Sequence, residues 1–177
     1  MKTIILVANE DEAKHLSDLN CNIIITGEGR SNVIKTIAEV LMNDAIEIGD
    51  RVINVGYVGA KGFNKGSIVQ VGKVEHMVPS KTIKEKCIAI GCPFNFQTVE
   101  CYTSDNFVDA DDVNPWMPEK FVCDMELYYL ALMFPSIESI KIVSDTLDYD
   151  EYKQADFKES WEAVKKELKN IINKRQE

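Results

Sequence analysis

Residues 22–46 read NIIITGEGRSNVIKTIAEVLMNDAI, and this stretch decides the fold. The β-branched, apolar run from Asn22 to Thr26 predicts a short strand. A glycine-containing turn follows it, and Ser31 is a good residue to cap a helix. Apolar residues then recur at helical spacing, which predicts a helix from about Asn32 to Ile46. The apolar positions of this helix are Val33, Ile34, Ile37, Val40 and Leu41.

The same alternation of apolar runs and helical patterns extends through the whole chain of 177 residues. Other strands are predicted for Thr3 to Val7, Arg51 to Val55, Ser67 to Val74, Val99 to Thr103, Phe121 to Cys123 and Ile140 to Val143. Helical spacing near the end, from Trp161 to Ile172, predicts a final helix that covers one face of the sheet. Asp109 to Pro118 lacks periodicity and is predicted to be a loop near the site. The expectation is one layered α/β domain over residues 1–177.

The composition narrows the class of partner. A formal net charge of -9 disfavours nucleic acid, which is bound through clustered Lys and Arg, so a small molecule is the expected partner. Basic residues near the end of the chain fall at helical spacing, which is typical of a solvated helix face. They are Lys165, Lys166, Lys169, Lys174 and Arg175.

Neither a membrane segment nor a disulfide framework is predicted. The apolar run at the start is too short for a signal peptide, and no later stretch is long enough to span a bilayer. Five scattered cysteines suit a reducing cytoplasm. The spacing of Cys87 and Cys92 is wrong for a zinc site, so neither a metal nor a cofactor is expected.

Three stretches place polar residues or glycines next to predicted strands. Residues 8–12, ANEDE, crowd three acids at a junction between a strand and a helix, where helix capping, taken alone, is the more common role. Residues 26–31, TGEGRS, let a ligand approach the backbone, and Arg30 there could bind an anion. Residues 54–60, NVGYVGA, end a predicted strand in paired glycines that could line a pocket or simply turn the chain.

Carboxylates directly after apolar strands are the strongest signal. Residues 122–126, VCDME, and residues 142–148, IVSDTLD, both have this form. Burial at such a position raises the pKa of a carboxyl group, and an acid of this kind can protonate a leaving group.

In combination these stretches resemble the nucleoside phosphorylase and nucleosidase superfamily, and most closely its 5'-methylthioadenosine/S-adenosylhomocysteine nucleosidases. The resemblance covers most of the chain in order. It rests on Glu12 in the opening segment and on TGEGR, NVGYVGAKG, KGSIVQVG, TSDNFV, DMELYYLA and IVSDTLD. It implies a three-layer α/β/α fold with a mixed central β-sheet and a homodimer.

The resemblance also implies a role for each acid. Asp145, which follows Ser144, matches the general acid that protonates or hydrogen-bonds N7 of the departing purine. Met125 and Glu126 match the pair that packs on the ribose and holds its hydroxyls. Glu12 matches the base that orients and deprotonates the attacking water. Three separated carboxylates satisfy the chemistry of glycosidic cleavage, which needs an acid, a stabiliser of the cationic sugar and a base.

Other implied contacts belong to the purine. Phe107 and Val108 match the segment that stacks on the base and reads its edge. Tyr57 and Gly59 match a glycine-rich wall of the site, although relatives usually have a small residue in place of Tyr57, whose bulk is expected to narrow the pocket.

The resemblance favours hydrolysis of an adenosine-type nucleoside. Phosphorylases of the superfamily bind phosphate with an arginine after the first strand, where this chain has Glu12. Arg30 keeps phosphorolysis open as the alternative, and a degenerate nucleoside-binding domain is a second alternative. The chain is shorter than typical members after His15 and from Pro79 to Gln97, so the 5' substituent of the substrate stays open.

Overall fold

A computed structural model describes residues 2–77 and 87–173. Its strands are β1 Thr3–Val7, β2 Asn22–Ile25, β3 Arg51–Lys61, β4 Ile68–His76, β5 Ile88–Ala89, β6 Gln97–Thr103, β7 Phe121–Asp124 and β8 Glu138–Asp145. Its helices are α1 Glu10–Leu16, α2 Arg30–Met42, α3 Leu127–Met133, α4 Tyr149–Lys153 and α5 Lys158–Asn173, with a 3-10 turn at Ala110–Asp112. Lys174, Arg175 and the first part of the stretch from Pro79 to Gln97 lie outside the described residues.

The described strands form one mixed sheet, as predicted. This sheet has eight strands. Strand order is β2-β1-β3-β7-β6-β4-β5, and β8 pairs with both β3 and β4. β1 runs parallel to β2 and to β3, and β3 runs parallel to β8. β7 is antiparallel to β3, and β8 is antiparallel to β4. The pairings β3-β7-β6-β4-β8-β3 close a ring at one end of the sheet.

Helices cover both faces, which confirms the three-layer prediction. One apolar core lies under α2 and α3, with Val33, Ile37 and Leu127 fully or almost fully buried against the strands. The opposite core lies under α1 and α5, where Trp161 and Leu168 pack on strand residues. The amphipathic spacing of α5 places its apolar stripe on the sheet and its lysines outward. The final helix therefore covers a sheet face, as its sequence predicts.

Several predicted boundaries are wrong. The helix predicted from Asn32 to Ile46 spans Arg30–Met42, because Gly29 caps its start and Asp44 leaves the helix in a left-handed conformation at φ 51°. The strand predicted to end at Val55 continues to Lys61. The loop predicted from Asp109 to Pro118 contains the turn of 3-10 helix. The strand predicted from Ser67 to Val74 spans Ile68–His76, and the remaining predicted strands lie within the observed ones or end one residue later.

Among the described residues, no helix combines the length and the apolar character needed to cross a bilayer.

Candidate active site

Two glycines inside β3 provide the surface on which the site is built. A Cβ atom on Gly56 would lie 2.8 Å from Glu12 Oε1, and one on Gly59 would lie 2.8 Å from Asp145 Oδ1. The two carboxyl groups thus occupy space that side chains of β3 would otherwise fill. The prediction that these glycines end the strand is wrong: both lie inside β3, and each leaves room for one carboxyl group. They are three residues apart, or roughly 10 Å along an extended strand.

Glu12 is held by backbone amides. Asn9 caps α1 by accepting a hydrogen bond from the Glu12 N–H at 3.0 Å, which places Glu12 in the first turn. The Glu12 side chain accepts from the Tyr57 N–H at Oε1 and from the Ala8 N–H at Oε2, both at 2.8 Å. Burial raises the pKa of Glu12, and the two amide bonds oppose that rise. Each oxygen faces a group that can only donate, so the ionised form fits these partners.

Asp145 is the last residue of β8 rather than the residue after it. The register of β8 on β3 shifts between Val58 and Gly59, so that Ser144 is skipped and Asp145 lies beside Gly59. Asp145 Oδ1 accepts from the N–H groups of Leu147 at 2.9 Å and Asp148 at 3.2 Å. Leu147 adopts the left-handed conformation, with φ 66°. The chain therefore turns tightly around the Asp145 carboxyl.

The second oxygen of Asp145 has a partner of a different kind. Oδ2 lies 2.6 Å from Ser144 Oγ, which also lies 3.0 Å from the carbonyl oxygen of Val58. A hydroxyl has one hydrogen, and a carbonyl oxygen can only accept. When the Ser144 hydroxyl donates its hydrogen to the Val58 carbonyl oxygen, a proton on Asp145 Oδ2 can be donated to Ser144 Oγ. Asp145 is fully buried, and burial raises its pKa against the opposing hydrogen bonds.

Glu126 lies at the start of α3 and faces the start of α2. Its Oε1 accepts from the Gly29 N–H at 2.8 Å, and its Oε2 accepts from the Met125 N–H at 3.3 Å. Burial, followed by the charge of Asp124, raises the pKa of Glu126 to about 8, and the charge of Lys141 opposes this rise. The charge of Glu12 also raises the pKa of Glu126, so these two carboxyl groups share one electrostatic environment.

Sequence reasoning missed a buried ion pair beside Glu126. Lys141 is 1% exposed, and its Nζ lies 2.9 Å from Asp124 Oδ2. Thr103 donates to the other Asp124 oxygen at 2.6 Å. A lone lysine inside the apolar strand ESIKIVSD was a usable signal, because a buried charge requires a partner.

The Phe107 segment lies beside the turn that follows Asp145. The Phe107 ring centre is 5.1 Å from that of Tyr149 and 5.9 Å from that of Tyr152. Val108 is buried in one cluster with Leu147. A cavity of about 350 Å³ adjoins this turn and is lined by residues 109–111 and 147–150, but by neither Glu12 nor Glu126.

Two of the predicted contact residues direct their side chains elsewhere. The Tyr57 ring packs under α5, and its hydroxyl accepts from Trp161 Nε1 at 2.8 Å. Tyr57 serves the site through its backbone N–H. Arg30 Nη1 lies 3.7 Å from Asp105 Oδ2, and its guanidinium carbon lies 5.7 Å from the centre of the Tyr129 ring.

A second group that was not predicted from the sequence lies near Glu12 and Glu126. Glu28 Oε1 accepts from Asn9 Nδ2 at 2.8 Å and from the Tyr152 hydroxyl at 3.3 Å. The charges of Glu12 and Glu126 contribute to raising the pKa of Tyr152, after burial and Glu28. The described residues contain no cluster of three or more side chains suited to a metal ion.

Comparison with solved structures identifies the architecture, although no family model matches the chain and no curated protein matches its sequence. The chain is similar to a 5'-methylthioadenosine/S-adenosylhomocysteine nucleosidase from Streptococcus pneumoniae, with a TM-score of 0.76 and 16% identity over 97% of this chain and 100% of the other. The fold is that of these nucleosidases.

Two further structures with this fold extend the comparison. A nucleosidase of the same name from Chlamydia trachomatis, bound to its nucleoside, has a TM-score of 0.74 and 16% identity, covering 98% of this chain and 99% of the other. A futalosine hydrolase from Helicobacter pylori has a TM-score of 0.73 and 13% identity, covering 98% and 100%. One architecture thus carries proteins named for different nucleosides.

Proposed function

We propose that this chain hydrolyses the N-glycosidic bond of an adenosine-type purine nucleoside to free base and sugar. The observation that carries the proposal is the contrast between two buried carboxyl groups. Glu12 has an N–H donor at each oxygen, which suits a base, whereas Asp145 has a hydroxyl at Oδ2, where a proton fits. Similarity to solved nucleosidases supports the same reading.

The proposed reaction divides the work among three acids. Asp145 gives its proton to N7 of the purine as the bond between C1' and the base breaks, and the bonding electron pair leaves with the base. In its ionised form, Glu126 accepts hydrogen bonds from the sugar hydroxyls and stabilises the cationic sugar. Glu12 takes a proton from the water whose oxygen attacks C1'. Met125 packs beside Glu126, and Phe107 stacks on the base.

Phosphorolysis is the second candidate, and the contacts of Arg30 bear on it. A phosphate nucleophile needs cationic partners, but Arg30 is directed to Asp105 and Tyr129. Glu12 lies in the first turn of α1, shortly after β1, where its charge repels phosphate.

The test is to incubate the purified protein with a panel of purine and pyrimidine nucleosides, with and without phosphate, and to assay free base. Phosphate-independent release of adenine is expected. Strict dependence on phosphate would establish phosphorolysis instead. Binding of adenosine-type ligands without release of base would identify a degenerate binding domain.

We further propose a cytoplasmic homodimer of single-domain subunits. Exposed apolar residues on α2 and α3 support a subunit contact: Ile34 is 51% exposed, Leu41 39%, Leu132 55% and Met133 49%. All five cysteines are free thiols, which suits a reducing compartment. Sedimentation equilibrium should give twice the chain mass, and a monomer at micromolar concentration would exclude the dimer.

A further inference from the structure

The polar group formed by Asn9, Glu28 and Tyr152 points to the substituent at the 5' end of the sugar. Three segments meet there: Asn9 precedes α1, Glu28 lies in the turn before α2, and Tyr152 belongs to α4. Their side chains converge on one atom, Glu28 Oε1, through contacts of 2.8 and 3.3 Å.

This group is joined directly to the proposed catalytic residues. Asn9 accepts from the Glu12 N–H through Oδ1 while it donates to Glu28 through Nδ2. The residue after Glu28 is Gly29, whose N–H binds Glu126. Glu28 is therefore one residue from the contact that holds the proposed sugar carboxylate.

The orientation of the nucleoside follows by elimination and rests on the proposed function. The base faces Asp145, water attacks C1' from the side of Glu12, and the 2' and 3' hydroxyls take Glu126. That leaves the 5' end of the sugar for Asn9, Glu28 and Tyr152, which adjoin Glu12 and Glu126 through the contacts of Asn9 and Gly29. We propose that these three residues bind the 5' end and select a free 5' hydroxyl over an apolar 5' thioether.

Hydrogen-bond chemistry gives the reason for this selection. Glu28 Oε1 accepts a shorter bond from Asn9 than from Tyr152, so a 5' hydroxyl can replace or join the Tyr152 hydroxyl as donor. A thioether sulfur cannot donate. Its alkyl group would remove water from the Glu28 carboxylate without replacing the lost hydrogen bonds, which a site built for a hydroxyl penalises.

The test uses adenosine and 5'-methylthioadenosine with wild type, Glu28→Leu and Tyr152→Phe. Wild type is expected to favour adenosine in kcat/KM by about tenfold or more. Glu28→Leu should shift this ratio towards the thioether by at least about tenfold, mostly through KM, because the leucine offers an apolar surface. Tyr152→Phe keeps the ring and should shift the ratio only about threefold. Glu10→Leu, which removes an exposed acid of α1 with the same change in charge, should leave the ratio unchanged.

Calorimetric Kd values for the two nucleosides, measured with the same variants, separate this proposal from the proposed function. Tighter binding of adenosine that is lost in Glu28→Leu supports the polar 5' site even if no base is released, in which case hydrolysis alone is overturned. A wild type that prefers the thioether, a ratio unchanged by Glu28→Leu, or binding of neither nucleoside would overturn the 5' selection.

Discussion

The carboxyl groups of Glu12 and Asp145 occupy similar positions, but their hydrogen-bond partners differ in chemistry. Each carboxyl group lies against a glycine of β3, and each is buried. Glu12 accepts one backbone N–H at each oxygen. Asp145 accepts two N–H groups at one oxygen and meets the Ser144 hydroxyl at the other. A backbone N–H can only donate, whereas a hydroxyl can also accept, so only Asp145 has a partner for its own proton.

This difference in hydrogen-bond partners supports the proposed roles of general base for Glu12 and general acid for Asp145. Burial raises the pKa of both groups, so burial alone does not distinguish an acid from a base. The hydrogen-bond partner of the second carboxyl oxygen distinguishes the two groups: it is a backbone N–H for Glu12 and a hydroxyl for Asp145. Variants that replace one carboxyl oxygen by an NH₂ group are therefore the most direct way to challenge the assignment.

Asp145→Asn should have the largest effect on turnover. The amide oxygen keeps the N–H groups of Leu147 and Asp148, and the new NH₂ donates to Ser144 Oγ, so the free energy of unfolding should change by less than about 1 kcal/mol. Without a transferable proton, kcat should fall by about 100-fold or more. Steady-state release of base and urea unfolding measure the two quantities. Near-normal kcat would remove Asp145 from the role of general acid.

Glu12→Gln should lower both turnover and stability. The new NH₂ must face the N–H of Tyr57 or of Ala8, which opposes two donors and should cost about 1–3 kcal/mol of unfolding free energy. Loss of the base should lower kcat by about 100-fold. Glu10→Gln, at an exposed position of the same helix turn, is the control. Equal stability of the Glu12→Gln and Asp145→Asn proteins would contradict the proposed difference in hydrogen bonding.

Gly56→Ala and Gly59→Ala should each lower kcat by about tenfold. Each new Cβ would lie 2.8 Å from a carboxyl oxygen, so the carboxyl must move, and small displacements of catalytic groups slow reactions. Gly91→Ala is a matched control, since its Cβ would meet the aliphatic part of Glu138 at 3.1 Å. Unchanged kcat in both β3 variants would mean that the two carboxyl positions are not critical.

Glu126 should make the free energy of unfolding depend on pH. Unfolding moves the pKa of Glu126 from about 8 to the ordinary value of 4.5, so the folded protein binds the extra proton between these values. The free energy of unfolding should therefore fall as pH rises from about 4.5 to 8. Glu126→Gln should reduce this slope, as measured by urea unfolding at several pH values, and Glu10→Gln should not. An unchanged slope would show that Glu126 titrates near its ordinary range.

Local patterns in the chain were sufficient for a layered α/β domain and for most strands, whereas the three layers and the mixed sheet were implied by the resemblance. Apolar runs and helical spacing report which residues avoid water, and that preference acts over a few neighbours. The same information placed Asp145 and Glu126 near the ends of buried strands, although Asp145 is the last residue of β8 and not the first after it. Burial also raises the pKa of Asp145, in the direction predicted for a carboxyl group at the end of an apolar strand.

Contacts between distant segments determined the rest. In the sequence, the glycines at positions 56 and 59 suggested the end of a strand. The structure shows instead that the carboxyl groups of Glu12 and Asp145 fill the space where side chains would otherwise lie. The bond between Glu28 and Tyr152 joins residues 124 positions apart, and the bond between Lys141 and Asp124 crosses between two strands. A hydrogen bond forms only when donor and acceptor are at the right distance, to within a few tenths of an ångström, and in the right direction. The order of residues along the chain does not encode either quantity. Burial follows from local residue type, whereas proton donors and acceptors acquire their roles only when the chain brings them together.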